Sequence, residues 1–264
     1  MILKFSSEQG LITGDPEGIN RALLFGDGIF ETMVFKNNRI RFAKEHEERL
    51  TLGLQQLKIR PSGLRMVDLE EYVKKKFREE SELRIRWNVY RGGLGKYTPI
   101  NNQAQDLILV QTLEEAAKIK NKAYISKEIS TSPSPWSYCK TLNSLTYVMA
   151  NIERKEVGMD EVILLDIKGF VSEAGAANIF WVKDGVFYTP SLSCNCIAGV
   201  GRRKIIETLL LQDIDIVEGQ FLAEELLAAD QIFTSNVTGI NYIENLEYRQ
   251  FNSKPIPFLD RMFE

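Results

Sequence analysis

A chain of 264 residues with 33 Lys and Arg against 36 Asp and Glu carries a formal charge of -3, and 44% of it is hydrophobic. That length fills one large core or two small ones. With no basic excess to neutralise a phosphate backbone and no apolar run near the ~20 residues of a membrane span, neither a nucleic-acid nor a membrane partner is expected.

In chain order, Leu23-Leu24-Phe25 runs into a turn at Gly26-Asp27-Gly28, and Ile29 to Phe35 reads as a strand. Lys36 to Arg39 predicts a turn and Ile40 to Phe42 a short strand. The period then changes. Leu50, Leu54 and Leu57 recur at helical spacing from Lys44 until Pro61. A second helix is predicted from Met66 to about Glu80, with Lys74-Lys75-Lys76 beside Glu79 and Glu80 as a solvated face. Leu83, Ile85, Trp87 and Val89 alternate with Arg84, Arg86, Asn88 and Tyr90, the pattern of a half-buried strand. Arg91 to Tyr97 is a glycine-rich hairpin tip. It is no Walker loop, because Tyr90 and Tyr97 stand where that pattern needs Gly and Ser or Thr. Asp106 to Val110 reads as a buried strand. The polar segment from Glu114 to Asn121 is expected to join two units, residues 1–113 and 121–264, with 114–120 as the linker.

The second unit opens with a strand around Ala123 to Ile129. A Ser/Pro-rich loop then leads to Cys139-Lys140-Thr141-Leu142. Asn143 is the expected N-cap of a helix that uses Leu145, Val148, Met149 and Ile152 and is closed by Gly158. Strands follow at Glu161 to Asp166 and Asn178 to Lys183. Asp184-Gly185 is a hairpin turn into Val186 to Thr189. Helices are expected from about Gly201 and from about Leu222 to Ala229, and a strand at Gln231 to Thr234 runs into Ser235-Asn236-Val237. Mixed strands and helices in two clusters indicate an α+β or mixed α/β fold.

Three cysteines make no disulfide framework, and Cys194 with Cys196 lacks the second pair of a zinc site, so no metal is expected. His46 is the single histidine, which excludes H-E-x-x-H chemistry; a structural role is expected for it. The segment Met1-Ile2-Leu3-Lys4-Phe5 has no signal-peptide core, and a cytoplasmic location is the expectation.

Three features bear on chemistry. Lys140 lies before a helix among the apolar Trp136, Tyr138, Leu142 and Leu145, where desolvation would make its neutral amine accessible for Schiff-base work. Glu173 sits between two apolar strands in Val171-Ser172-Glu173-Ala174-Gly175; alone it reads as a loop carboxylate. Ile197-Ala198-Gly199-Val200-Gly201 precedes a helix, where free backbone N–H groups and the dipole favour an anion. Thr234 to Val237 and Arg49 add donors. Taken singly, each has a bland reading, and pattern alone does not bring them together.

A resemblance does. Phe25-Gly26-Asp27-Gly28-Ile29-Phe30-Glu31, His46-x-x-Arg49-Leu50, Lys140-Thr141-Leu142-Asn143, Ser172-Glu173-x-Gly175-x-x-Asn178-Ile179-Phe180 and Gly199-Val200-x-Arg202 occur in the order found in the class IV aminotransferase family. The chain resembles this fold-type IV pyridoxal 5'-phosphate (PLP) group from about residue 20 onwards. The group includes branched-chain aminotransferases, D-amino-acid aminotransferases and aminodeoxychorismate lyases. The resemblance implies a two-domain, D-amino-acid aminotransferase-like fold and a homodimer. It also implies a Schiff base on Lys140, a ring-nitrogen partner in Glu173, and a phosphate held by Arg49, Val200, Gly201 and Ser235-Asn236-Val237.

Within the group the substrate residues are expected to be Phe30, Thr32, Lys96 and Tyr97. Thr32 and the pair Ala176-Ala177 before Asn178 are similar to lyases, where branched-chain enzymes carry Gly and Gly-Glu-Asn. The loop after Arg91 lacks the histidine of D-amino-acid enzymes, and Lys96-Tyr97 loosely matches the lyase pattern. The implied reaction is cleavage of 4-amino-4-deoxychorismate to 4-aminobenzoate and pyruvate, with amino-acid transamination as the alternative.

Overall fold

Two apolar segments, at residues 28–36 and 83–91, pair to found the first of four hydrophobic clusters among the described residues of the computed structural model. The structure describes residues 3–6, 10–13, 19–77, 82–114 and 117–264. The first part starts with an antiparallel pair, β1 (Leu3–Ser6) and β2 (Gly10–Thr13), and a short helix α1 (Arg21–Phe25). It continues through β3 (Gly28–Lys36), β4 (Arg39–Ile40), α2 (Ala43–Gln56), α3 (Met66–Lys76), β5 (Leu83–Arg91) and β6 (Ala104–Thr112). Asn37 and Asn38 take φ of 54° and 60°, the left-handed pair that a tight β3–β4 turn requires.

The sheet runs β4-β3-β5-β6, antiparallel throughout. Ile85, Trp87 and Val89 point with Met33 and Phe35 to one face, where Leu50, Leu54, Leu69 and Val73 of the two helices cover them. The opposite face carries Phe30, Thr32, Arg84 and Arg86, with Thr32 paired to Arg86 and Phe30 to Asn88.

The second part comprises β7 (Ile119–Lys120), β8 (Ala123–Thr131), α4 (Leu145–Glu156), β9 (Glu161–Asp166), β10 (Val171–Ala174), β11 (Asn178–Lys183) and β12 (Val186–Pro190). It continues with α5 (Val200–Leu211), β13 (Ile216–Gly219), α6 (Ala223–Leu227), β14 (Gln231–Asn236), β15 (Gly239–Ile243), β16 (Asn245–Leu246), β17 (Arg249–Gln250) and α7 (Pro257–Asp260). A six-stranded sheet, β13-β12-β11-β14-β15-β7, packs on a five-stranded one, β10-β9-β8-β16-β17. Ile163, Val171, Ile179, Trp181, Ile232 and Ile243 fill the space between them. α5 and α7 cover the outer face of the larger sheet, and α4 covers the smaller.

Four expectations are corrected. Asn143 does not cap α4: the helix begins after Ser144, and Asn143 lines a cleft instead. The stripe Leu145, Val148, Met149 and Ile152 is exposed, from 43% at Met149 to 64% at Leu145, while Ala150 on the opposite side is buried. Periodicity gives a face its width but not the side on which the partner sheet lies. β6 is half-exposed rather than buried, with Leu107 and Leu109 open, because they lie on the face of the sheet that the helices leave uncovered, beside Asn88 and Arg86. Glu173 stands in a strand, not a loop.

Two boundaries also differ. The expected end of α3 near Glu80 lies outside the described residues, and the helix stops at Lys76. Residues 115 and 116 of the expected linker are likewise undescribed, while Ile119–Lys120 pairs with β15 in the second part.

Ile85 is fully buried in the first core and Leu211 is 85% exposed. Ile85→Ala is expected to cost about 2–5 kcal/mol, and Leu211→Ala to stay within about 0.5 kcal/mol, as measured by urea denaturation.

Candidate active site

A cleft of about 830 Å³ opens between the two parts. Its geometry begins with the backbone. Phe30 N–H donates to the Lys140 carbonyl at 2.9 Å, and Leu142 N–H donates to the Gly28 carbonyl at 2.9 Å. These bonds attach the 140–142 segment to the start of β3 as a short antiparallel bridge. Gly28 permits this approach: a Cβ there would lie 2.5 Å from the Val89 carbonyl and 2.8 Å from the Leu142 side chain. The two parts are further held by Arg41 donating to the Val237 carbonyl and by ion pairs from α5 to α2, Arg203 with Glu48 and Lys204 with Glu45.

Lys140 is thereby aimed into the cleft. Its Nζ stands 4.6 Å from the Phe30 ring centre. Removal from water pushes its amine down to about 8, and the nearby Arg49 charge adds to this against Glu31 and Glu173. A neutral amine is therefore within reach near physiological pH, as nucleophilic work by a lysine requires.

Glu173 reaches the same cleft from β10. Its Oε1 accepts from the Tyr147 hydroxyl at 2.6 Å, and the Ile197 N–H is 3.2 Å from both carboxylate oxygens. Burial pushes the carboxyl up to about 7, against those hydrogen bonds and the charges of Lys140 and Arg202. Lys140 and Glu173 thus belong to one site, each within electrostatic range of the other.

A third group forms the anion-ready end. The amides at the start of α5 have no intrahelical acceptors. Beside them, Ser235 Oγ is buried with no hydrogen-bond partner. Gly201 makes the approach possible, since a Cβ on it would lie 2.8 Å from Ser235 Oγ. Arg49 faces this end, its guanidinium held by Glu31 (Nε to Oε1, 2.8 Å) and by the Ala198 carbonyl. His46, fully buried, binds the same carboxylate through Nδ1 at 2.6 Å. Burial by itself would push the Glu31 carboxyl up; Arg49 and His46 together hold it down at about 2.

Of the residues singled out from sequence, Lys140, Glu173, Arg49, Val200, Gly201, Ser235, Asn236, Val237, Phe30 and Thr32 all line this cleft. Lys96 and Tyr97 do not. They lie on the hairpin tip, Tyr97 is 91% exposed, and the Lys96 carbonyl accepts from Arg21, so within one chain they stand apart from Lys140.

Sequence reasoning missed three side chains. Arg84 and Arg86 line the cleft, and the Arg86 guanidinium sits 3.7 Å over the Phe30 ring. Read as the polar half of an alternating strand, they looked like a solvent face. Their double occurrence opposite Thr32 was the available signal. Tyr147 was hidden in the helix pattern.

The class IV amino-transferase family model matches residues 28–243. The chain belongs to the class IV aminotransferase family. It is a PLP-dependent enzyme of the fold-type IV class. Among curated relatives it is 27% identical to the aminodeoxychorismate lyase of Vibrio harveyi, over 86% of this chain and 88% of that one. It is 36% identical to a putative branched-chain-amino-acid aminotransferase of Methanocaldococcus jannaschii; that match spans 44% of this chain and only 41% of the relative. The branched-chain aminotransferase of Thermoproteus uzoniensis, solved with norvaline, superposes with a TM-score of 0.84 at 24% identity, covering 96% of this chain and 90% of that one. This last likeness speaks to fold alone. No helix among the described residues of this aminotransferase-family chain is long and apolar enough to cross a membrane.

Because the folded Glu31 value lies below its ordinary 4.5, its stabilising effect is present above that pH and is lost as pH falls towards 2. Glu31→Gln is expected to lower stability at pH 7 by about 3 kcal/mol, with the gap to the native protein narrowing as pH falls below 4.5. Urea denaturation at a series of pH values measures both the gap and its narrowing.

Proposed function

We propose that this chain is a 4-amino-4-deoxychorismate lyase, releasing 4-aminobenzoate and pyruvate for folate synthesis, and that it works as a cytoplasmic homodimer. One observation carries the choice of substrate. Arg84 and Arg86 face the cleft with no carboxylate partner among the described residues; Arg84 is bonded to Gln111 and Arg86 to Asn88. Burial and the Arg84 charge both push the Arg86 value down, so this pair favours an anionic ligand. The lyase substrate carries two carboxylates, one leaving with each product. A branched-chain amino acid has one carboxylate and an apolar side chain, so in that half of a transamination one of the two guanidiniums would meet no carboxylate. The outward apolar stripe of α4, at the mouth of the cleft, supports the homodimer reading.

The cleft fits PLP. The unpartnered Ser235 Oγ, the free first-turn amides of Val200 and Gly201, and a Gly201 position too tight for a Cβ make a cradle for a phosphate. Arg49, Asn236 and Val237 complete it. When bound, PLP supplies an aldehyde for amine capture and a ring that withdraws electrons from the substrate. Glu173 holds a proton at the ring nitrogen. Phe30 walls the cleft beside Lys140, and Thr32 faces the substrate side. Lys140 Nζ takes the proton from the substrate carbon bearing the amino group. The neighbouring ring C–O bond breaks with its electron pair leaving on the enolpyruvate oxygen, Lys140 returns a proton to the enolpyruvate methylene to give pyruvate, and aromatisation of the remaining ring drives the step. Arg84 and Arg86 hold the carboxylates in place throughout.

Amino-acid transamination is the second reading, favoured by the likeness to the branched-chain enzyme of Methanocaldococcus jannaschii. Purified enzyme supplied with aminodeoxychorismate is expected to release 4-aminobenzoate. Arg86→Gln is expected to raise KM about tenfold to hundredfold, the cost of one charged hydrogen bond. Rapid glutamate formation from L- or D-amino acids and 2-oxoglutarate, with no 4-aminobenzoate from aminodeoxychorismate, would reverse the assignment.

A further inference from the structure

Tyr147 is a half-buried side chain whose hydroxyl has one acceptor, Glu173 Oε1, at 2.6 Å. The surrounding backbone is arranged for this contact. Asn151, one turn further along α4, donates at 2.9 Å to both the Tyr147 carbonyl and the Gly175 carbonyl. That bond pins the helix to the turn that follows β10. Gly175 lets the helix come this close: a Cβ there would meet Val162 at 2.7 Å and the Asn151 amide at 3.1 Å. The position of Tyr147 relative to Glu173 is therefore set by packing on both sides of the contact.

A carboxylate offers about four acceptor directions. At Glu173, Oε1 takes the Tyr147 hydroxyl, and the Ile197 N–H is shared between the two oxygens. Oε2 keeps a lone pair for one further donor. We infer that Tyr147 is a positioning residue for the cofactor: its hydroxyl fixes the Glu173 carboxylate and keeps it ionised, so that the shared proton rests on the ring nitrogen. The inference rests on the reading of Glu173 as the ring-nitrogen partner. The other titratable groups around Glu173 are Lys140, Arg202 and Cys196. Lys140 is committed to the aldehyde, Arg202 is paired with Glu218, and burial keeps the Cys196 thiol protonated. Tyr147 is left as the side-chain donor in direct contact. Burial and the Glu173 charge both push its own ionisation far above the ordinary tyrosine range, so it remains a donor at any working pH.

The test uses holoenzyme reconstituted with PLP carrying 15N at the ring nitrogen, read by NMR alongside turnover. Two variants separate a donor from a packing role. Tyr147→Phe keeps the ring and loses the hydroxyl; Tyr147→4-aminophenylalanine keeps the ring and puts an N–H donor where the hydroxyl was. The 15N signal of Tyr147→Phe is expected to move towards the unprotonated ring, with turnover falling about tenfold, as for the loss of one charged hydrogen bond. The 4-aminophenylalanine variant is expected to stay closer to the native signal than Tyr147→Phe. A native signal in Tyr147→Phe, or a 4-aminophenylalanine signal shifted as far as that of Tyr147→Phe, overturns the inference. Glu173→Gln is the control for the underlying reading. If it shifts the signal and Tyr147→Phe does not, Tyr147 has no such role and the Glu173 reading stands; if Glu173→Gln leaves the signal unmoved, that reading fails as well.

Discussion

Two backbone hydrogen bonds, exchanged between residues 28–30 and 140–142, govern everything else in this molecule. They fasten the lysine-bearing segment of the second part to the first strand of the opposite sheet. The bridge fixes the backbone at Lys140, so that its side chain starts from the wall of the cleft. The same bridge puts Phe30 beside the lysine and, through the β3–β5 register, brings Arg86 against that same ring. A half-buried amine with lowered basicity follows from this attachment rather than from any special property of the residue itself.

Around that fixed amine the cleft separates its charges. Glu173 is pushed up and Glu31 is held down, although burial acts in the same direction on both. The difference lies in their partners. Glu31 meets a full guanidinium and the histidine ring, while Glu173 meets only a hydroxyl, a backbone N–H and more distant charge. One carboxylate is thus a permanent counter-charge that orients Arg49. The other is poised to exchange a proton with a ligand. Such a division suits a cofactor with an anion at one end and a basic nitrogen at the other.

Much of the fold was legible from periodicity. The alternation at 83–89 and the helical leucines at 50 and 54 appeared where expected, because each segment has a single core to face. Other features were not. The α4 stripe was assigned to the core because the side on which the neighbouring sheet lies is decided by chain topology, not by spacing. Glu173 looked like a loop residue because Ser172 and Ala174 are weak strand formers, yet β9 pairing carries the segment as a strand. At the site, the motifs named Phe30, Arg49, Lys140, Glu173 and Val200, and all of them line the cleft. The two arginines and Tyr147 escaped notice because a polar residue on an alternating strand or a helix surface normally faces water. Lys96 and Tyr97 were expected at the substrate, but the hairpin tip carries them away from the cleft of their own chain.

The attachment of the cofactor to one lysine is the claim on which the chemistry depends. Reduction of the purified yellow enzyme with borohydride, followed by proteolysis and mass spectrometry, reads that attachment directly. The account predicts a single phosphopyridoxyl peptide containing Lys140. A label on any other lysine, or a reduced protein with no label at all, would contradict it.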